Sequence, residues 1–382
     1  MSKNSALILV LSVAALVSIG MVMLFSTGAY AHDAHGDAYI FLKRQGMWLG
    51  VGVVACVLAA MVDYHVWAKV WLPMFLTAAG LLALCFVPHI GKSVHGSARW
   101  VHLGPILFQP SEIGKFAAVV ALAWWFSRYE QRSSQLLHGF IFPMLLIGVL
   151  MGLIVREEDL GATLLIGVTM ITVMFVAGSN PLYMTVLGIA LIGGIWLLAH
   201  HMHERAGRLD AFWHLEEHKD DKGLQQWEAL KAFGSGGLFG LGLGESREKI
   251  GYLPFAHTDF IFPIIGEELG LRATLLVIFT FLSATLSGIL IAMQARDRFG
   301  MLLGFGLIIN IAFQASVNIG MTTALLPNKG MPLPFISYGG SNLCLCLLFT
   351  GVLLNIYRQG SLAETSEVTH IGALRARVTP RI

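Results

Sequence analysis

Asp259 has the setting of a general base. It stands immediately before the apolar run Phe260-Ile261-Phe262, where a carboxylate sheds part of its hydration. Desolvation raises a carboxyl pKa and makes the group a better base near neutrality. His257 and Thr258 precede it directly, and Glu267 and Glu268 follow about two helical turns later. Upstream lies a glycine-rich stretch from Gly234 through Gly244, then Glu245-Ser246-Arg247-Glu248-Lys249-Ile250-Gly251. These glycines do not make a nucleotide loop, because no Lys-Ser/Thr pair closes a Walker pattern and no strand precedes them. They permit a tight backbone instead.

Three further clusters place charge beside apolar sequence. The first runs from Gly91-Lys92 through Arg99-Trp100 to Gln109-Pro110-Ser111-Glu112 and Lys115. Pro110 and Ser111 can start a helix, which puts Glu112 in a first turn where the dipole favours an acid. Lys115, three residues on, can pair with it on one face. Two readings fit: a helix cap with an interfacial salt bridge, or a functional pair, since ionisable groups at a membrane boundary are costly and imply function by default. The second cluster, Arg156-Glu157-Glu158-Asp159-Leu160-Gly161, divides in the same way between a loop cap and a working acidic face. The third, Pro327 to Ser341, holds Lys329 and Ser337 among three prolines and several glycines. It reads as a rigid re-entrant turn, which a membrane protein tolerates only where it is buried in protein or lines a cavity.

Other reactive side chains carry less. Cys56, Cys85, Cys344 and Cys346 all sit in apolar runs without metal-ligand spacing, and are read as core or lipid-facing. His32 and His35, and the group His200, His201 and His203, offer no ordered second shell from which to argue a metal site. The Trp124-Trp125 pair reads as interfacial anchoring or packing. A net charge of +2 and the lack of a basic stripe argue against a nucleic-acid partner.

The elements that must position these groups are membrane helices. The 382 residues are 56% hydrophobic and 13% charged, against roughly 25% charged in a soluble domain. Apolar runs long enough to span appear at 5–26, 45–62, 69–88, 112–127, 138–155, 160–177, 180–199, 270–293, 301–325 and 340–357. The expected fold is therefore all-α: a polytopic membrane protein of about ten transmembrane helices, with one large loop between helices seven and eight. Lys3 and the Ala29-Tyr30-Ala31 string imitate a signal peptide, but the first run suits an uncleaved spanning helix. Lys and Arg in short loops (Lys69, Arg128, Arg132, Arg296, Arg298, Arg358) put both termini in the cytoplasm. Segments 28–44, 89–111, 200–269 and 326–339 then lie outside. The loop 200–269 is too long to lack structure and is expected to fold back on the membrane surface. The domain organisation is one transmembrane domain over 1–360 and a polar, mobile cytoplasmic tail over 361–382.

At these residues the chain resembles the SEDS family (shape, elongation, division and sporulation: the FtsW, RodA and SpoVE proteins), its FtsW branch more than its RodA branch. The resemblance runs from the second helix to Arg358. It rests on Leu253-Pro254, His257-Thr258-Asp259-Phe260-Ile261-Phe262 and Gly266-Glu267-Glu268-Leu269-Gly270. It also rests on Lys329-Gly330 with Leu333-Pro334-Phe335-Ile336-Ser337-Tyr338-Gly339-Gly340-Ser341, and on Arg99-Trp100 with Gln109-Pro110-Ser111-Glu112 and Lys115. Departures from the family pattern are Gly251 in place of a frequent acid, His95 for Asn, Glu158 for Pro, and Glu228-Ala229 for Gln-Ser.

The resemblance implies a peptidoglycan glycosyltransferase of the bacterial cytoplasmic (inner) membrane. Such an enzyme polymerises lipid II into glycan strands, here for septal wall synthesis, with elongation as the alternative. It implies that Asp259 is the general base and that undecaprenyl diphosphate leaves. A diphosphate leaving group calls for cations, and Arg99, Lys115, Arg205, Arg208, Lys249 and Lys329 are available. Trp100, Glu112, Asp159, Ser246, His257, Thr258, Glu267 and Ser337 complete the expected substrate-binding set. The scheme has no fixed cofactor but admits a divalent cation, Mg or Mn, on the diphosphate. Implied partners are lipid II and undecaprenyl-linked glycan, a class B penicillin-binding protein transpeptidase, and other divisome proteins. Two competing classes are a lipid II flippase, which would hold its charges near the bilayer midplane, and a non-catalytic scaffold.

Overall fold

A computed structural model describes residues 4–28, 39–87, 91–94, 97–103, 106–201, 203–250 and 252–378. In chain order the elements are α1 Ser5–Gly28, α2 Ile40–Met61, α3 His65–Lys69, α4 Trp71–Leu84, β1 Gly91–Val94, β2 Ser97–Leu103 and β3 Ile106–Phe108. There follow α5 Pro110–Arg128, α6 Phe142–Arg156, α7 Leu160–Val176, α8 Pro181–His201, α9 His203–Trp213, α10 Leu224–Gly236, α11 Ile261–Met293, α12 Arg298–Thr322 and α13 Gly340–Val378. Each apolar run of the sequence forms a helix. Among the described residues, six helices are long and apolar enough to cross a membrane, and α4, α7 and α8 include shorter apolar stretches. α5 is less apolar but almost wholly buried, packed against α4, α6, α7 and α12. The protein is a multi-pass membrane bundle of the all-α class, with one small ribbon outside the helices.

Several helix starts have local reasons. α5 starts at Pro110, which suits a first helical position because its missing N–H needs no partner. α7 starts after Asp159, whose Oδ1 accepts from the Ala162 N–H at 3.1 Å. α12 is capped in the same way by Asp297. The outer segment between α4 and α5 contains a small antiparallel ribbon in the order β1-β2-β3, which the hydropathy pattern does not signal. The long loop contains α9 and α10, and α10 lies against α11. The tail beyond Gln359 continues α13 in helical form to Val378.

Polar contacts collect at the two ends of the bundle. At the short-loop end, Arg298 donates to Glu130 and to the Ala177 carbonyl, 2.7 and 2.6 Å. There too the Tyr64 hydroxyl bonds Asp297, Asn355 accepts from the Tyr64 N–H at 3.0 Å, and Arg358 donates to the Met61 carbonyl at 2.9 Å. These residues belong to the loops that the Lys/Arg count groups on one side. Trp124 stacks on Trp71 at 4.2 Å and Trp125 donates to the His138 carbonyl at 2.8 Å, so the tryptophan pair packs helices together here. All four cysteines are free thiols, buried or half-buried.

At the loop-rich end, α11 is broken. Gly270 has φ 79° and ψ −178° inside an otherwise continuous helix. The break leaves the Glu267 and Glu268 carbonyls without helical donors, and the glycine-rich loop supplies them. Leu241 N–H donates to Glu267 O at 2.9 Å and Gly242 N–H to Glu268 O at 3.0 Å. Contact is so close that a Cβ on Gly240 would lie 2.1 Å from the Glu268 carbonyl oxygen. Gly240 also has φ 80°, a region L side chains rarely adopt. The glycines of this loop thus serve a close backbone approach.

Candidate active site

Asp259 sits in the turn just before α11, half-buried. This turn is sewn to the segment between α12 and α13. The Tyr338 N–H donates to the His257 carbonyl at 3.0 Å, and Ser337 Oγ donates to the Thr258 carbonyl at 2.6 Å. Ser337 Oγ in turn accepts from the Leu333 N–H at 2.8 Å, closing the 333–337 turn on itself. Asn318, on α12, donates from Nδ2 to the carbonyls of Asp259 and Met331, at 2.8 and 2.6 Å. The Asp259 carboxylate lies against Gly330, and a Cβ there would fall 2.8 Å from Oδ2. Lys329 is therefore the chain neighbour of the residue that touches the carboxylate.

An aromatic wall supports this seam from α2. The rings of Phe41 and His257 are 4.4 Å apart, and Phe41 meets Tyr338 edge-on at 4.9 Å. Gln45, one turn further along α2, donates to the Ser337 carbonyl and accepts from the Gly339 N–H, at 3.1 and 3.2 Å. The re-entrant segment is thus largely buried in protein from Met331 to Ser337, while Gly330 is exposed.

Beneath the seam lies a buried ion pair. Lys115 Nζ is 2.8 Å from Glu112 Oε2, and the two residues are 3% and 5% exposed. Charges so deep persist only when paired and hydrogen-bonded. Gln314 Oε1 accepts from Lys115 at 3.2 Å and its Nε2 donates to the Pro332 carbonyl at 2.9 Å, linking the pair to the re-entrant turn. Asn342, at the head of α13, donates to Glu112 at 3.3 Å. Asp159 accepts from Gln109 Nε2 at 3.0 Å, and a Cβ on Gly161 would lie 3.1 Å from Met331 Cγ. The starts of α5 and α7, the end of α12, the re-entrant turn and the Asp259 turn therefore converge on one place.

Ser246, Lys249 and Glu267 are elsewhere. Lys249 is 4% exposed and its ammonium donates to Glu268 at 2.6 Å, to Ser26 Oγ at 2.9 Å and to the Gly244 carbonyl at 2.7 Å. Its three N–H donors all have protein acceptors. Ser26 Oγ donates on to Glu268 at 2.7 Å. Ser246 Oγ donates to Glu267, which also accepts from the Arg247 N–H at 3.0 Å. These groups latch the glycine-rich loop onto the head of α11 and onto α1. Nearby, burial and the neighbouring Glu228 carboxyl push the Glu248 carboxyl up to about 7.

Trp100 lies half-buried on β2, which approaches α5. Arg99 is also on β2, and Arg205 and Arg208 are on α9, but their side chains fall outside the described residues, as do those of His200, His201 and His203. His32, His35, His95 and Gly251 lie wholly outside them. Among the described residues, no group of three or more His, Cys, Asp or Glu is arranged to hold a metal ion.

Comparison with known proteins agrees with this architecture. The family model described as "Cell cycle protein", covering FtsW, RodA and SpoVE, matches residues 6–362. The chain belongs to the FtsW, RodA and SpoVE family. A probable peptidoglycan glycosyltransferase FtsW of Geobacter sulfurreducens is 38% identical over 353 residues, 92% of this chain and 94% of that one. The stage V sporulation protein E of Bacillus subtilis is 37% identical, over 92% of this chain and 96% of its own. Among solved structures, a chain of a peptidoglycan synthase complex that coordinates polymerization and crosslinking has a TM-score of 0.76 at 25% identity. That match covers 92% of this chain and 97% of that one. The rod shape determining protein RodA of Thermus thermophilus has a TM-score of 0.68 at 28% identity, covering 92% and 95%.

In this FtsW, RodA and SpoVE family chain, the residues that knit the site together are largely uncharged amides. Gln45, Gln314, Asn318 and Asn342 are all buried and carry no charge to mark them in the sequence. One signal was available. Asn310, Gln314, Asn318 and Thr322 recur every fourth residue, which lines them on one face of α12 within an otherwise apolar run.

Proposed function

We propose that this protein is a peptidoglycan glycosyltransferase that polymerises lipid II into glycan strands for septal wall synthesis. The observation that carries the reading is the position of the Asp259 carboxylate. It lies against Gly330, where the turn before α11 meets the re-entrant segment at the loop-rich end of a membrane bundle, above the buried Lys115–Glu112 pair. In the reaction, Asp259 takes the proton from the 4-hydroxyl of the acceptor sugar. The oxygen attacks the anomeric carbon of the donor, a carbon–oxygen bond forms, and the bond to the diphosphate breaks. Undecaprenyl diphosphate leaves with the bonding electrons. Lys329, Lys115, Arg99, Arg205 and Arg208 are the cations suited to the departing charge. Lys249 is excluded from that role here because its donors are spent within the protein. A divalent cation enters only as a companion of the diphosphate, as Mg2+ commonly binds through substrate phosphates and one or two carboxylates.

The expected setting is the bacterial cytoplasmic membrane with both termini inside, which follows from the Lys/Arg distribution. The expected partner is a class B penicillin-binding protein, and its likeness to a chain of a peptidoglycan synthase complex supports this. Other divisome proteins complete the assembly. A transporter can use a broken helix to bind its cargo, and α11 is broken at Gly270. The carbonyls freed there are consumed by the glycine-rich loop, which favours the enzyme reading. The test is lipid II polymerisation by wild type and Asp259→Ala. Strands from Asp259→Ala at the wild-type rate would overturn the base assignment.

A further inference from the structure

Asn318 is fully buried, about one turn before the end of α12. Its amide nitrogen is shared between two backbone carbonyls, Asp259 O at 2.8 Å and Met331 O at 2.6 Å. Those acceptors belong to the two segments that meet at the carboxylate. Because both are carbonyls, the amide's orientation is determined: the opposite orientation would set oxygen against two oxygens. The other end of the amide, Oδ1, is buried and has no hydrogen-bond partner among the described residues. Leaving such an acceptor unpaired is unfavourable. The side chain is therefore held for its two donors at the expense of its acceptor.

We propose that Asn318 is a positioning residue for Asp259. By bridging the Asp259 and Met331 carbonyls it fixes the backbone that carries the carboxylate relative to Gly330, the residue the carboxylate touches. Asn318 itself contacts backbone and takes no part in proton transfer. The inference rests on the polymerase reading given above and adds the element that sets its base in place. Gln314, one turn earlier on the same face, performs the parallel task for the Pro332 carbonyl and the Lys115 ammonium.

The test is the steady-state kinetics of lipid II polymerisation by the full-length protein with its penicillin-binding protein partner, using wild type, Asn318→Leu and Asn318→Asp. Displacing a reacting group by about 1 Å can cost about 100-fold, so Asn318→Leu is expected to lose about that factor in kcat. Its KM should change by less than about threefold, because ground-state contacts are untouched. Asn318→Asp supplies the discriminating readout. Ionised, it faces two carbonyls without a donor; protonated, it regains one O–H donor. Its rate relative to wild type is therefore expected to rise at least about fivefold between about pH 8 and about pH 5.5. A purely structural role predicts a loss that follows, at each pH, the folded fraction measured by thermal unfolding, because ionising a buried Asp also destabilises the fold. That pattern, or a kcat for Asn318→Leu within about twofold of wild type, would overturn the proposal. Should wild type make no strands while Asp259→Ala behaves identically, the polymerase reading itself falls and this inference with it. Active wild type and inactive Asp259→Ala, with an unaffected Asn318→Leu, would sink the inference alone.

Discussion

The carboxylate of Asp259 occupies the space beside Gly330 that a side chain would need: a methyl group there would fall 2.8 Å from Oδ2. The obstructed atom is the end of a side chain that can rotate, unlike a backbone atom. Gly330→Ala is therefore expected to fold normally but to push the carboxylate aside. A loss of about 10- to 100-fold in kcat, with a melting temperature near that of wild type, is the expected result. Unchanged turnover would mean that the carboxylate's place against Gly330 does not matter.

The Lys249–Glu268 pair is predicted to be structural. It is almost wholly buried, 1% and 0% exposed at the side chains, and shared with Ser26. Removing one charge leaves the other buried and unpaired, a cost of about 3–5 kcal/mol. Replacing both with apolar groups of similar volume is often neutral. Thermal unfolding in detergent should show Lys249→Met strongly destabilised and Lys249→Met with Glu268→Leu largely recovered. Equal destabilisation by the single and double variants would count against this assignment.

How much of this was legible in the sequence depends on the kind of residue. Every spanning helix was visible as an apolar run, because bilayer thickness imposes length and composition on each crossing. The four charged clusters also stood out, since charge beside an apolar run is rare. What did not show was which clusters meet. Lys249 and Lys115 look alike as cations near the outer boundary, yet one is tied to Glu268 and Ser26 and the other underlies the re-entrant turn. Their separation depends on the break at Gly270, which lies where the hydropathy pattern starts a helix. The ribbon 91–108 escaped because its strands are short and carry no strong alternation. Asn318 escaped because an amide in an apolar helix attracts less notice than an ion, although its four-residue spacing with Gln314 was there to be read.

The glycine-rich loop should be intolerant of side chains where it meets the α11 break. A Cβ at Gly240 would collide with a backbone oxygen, 2.1 Å away, and the residue has φ 80°. Backbone strain of this type alone costs about 1–3 kcal/mol, and the collision adds to it. Gly240→Ala is expected to lower the melting temperature markedly. Gly234→Ala, with open space around its Cβ, should do little. Equal effects of the two would contradict the close approach.

Stability should depend on pH through Glu248. Burial, with the Glu228 carboxyl beside it, raises this group from its ordinary 4.5 to about 7, against a smaller opposing pull from Lys231. Between those values the unfolded chain has released a proton that the folded chain still holds. Unfolding then releases protons, so stability is greatest below about pH 4.5 and declines as the pH rises to about 7, after which this contribution is constant. Glu248→Gln should remove that decline and raise the melting temperature at neutral and alkaline pH. A variant whose melting temperature falls in parallel with wild type across that window would show that the group is not the source.

The central claim is that Asp259 accepts the acceptor hydroxyl's proton at this seam. The measurement that tests it most directly is glycan-strand synthesis from lipid II in proteoliposomes. It compares wild type with Asp259→Asn, each reconstituted with a class B penicillin-binding protein and each verified as folded and complexed. The asparagine keeps the size and hydrogen-bonding reach of the side chain but cannot serve as the base. Strands from wild type and none above background from Asp259→Asn is the predicted result. Strands from Asp259→Asn at a rate comparable to wild type would contradict the account.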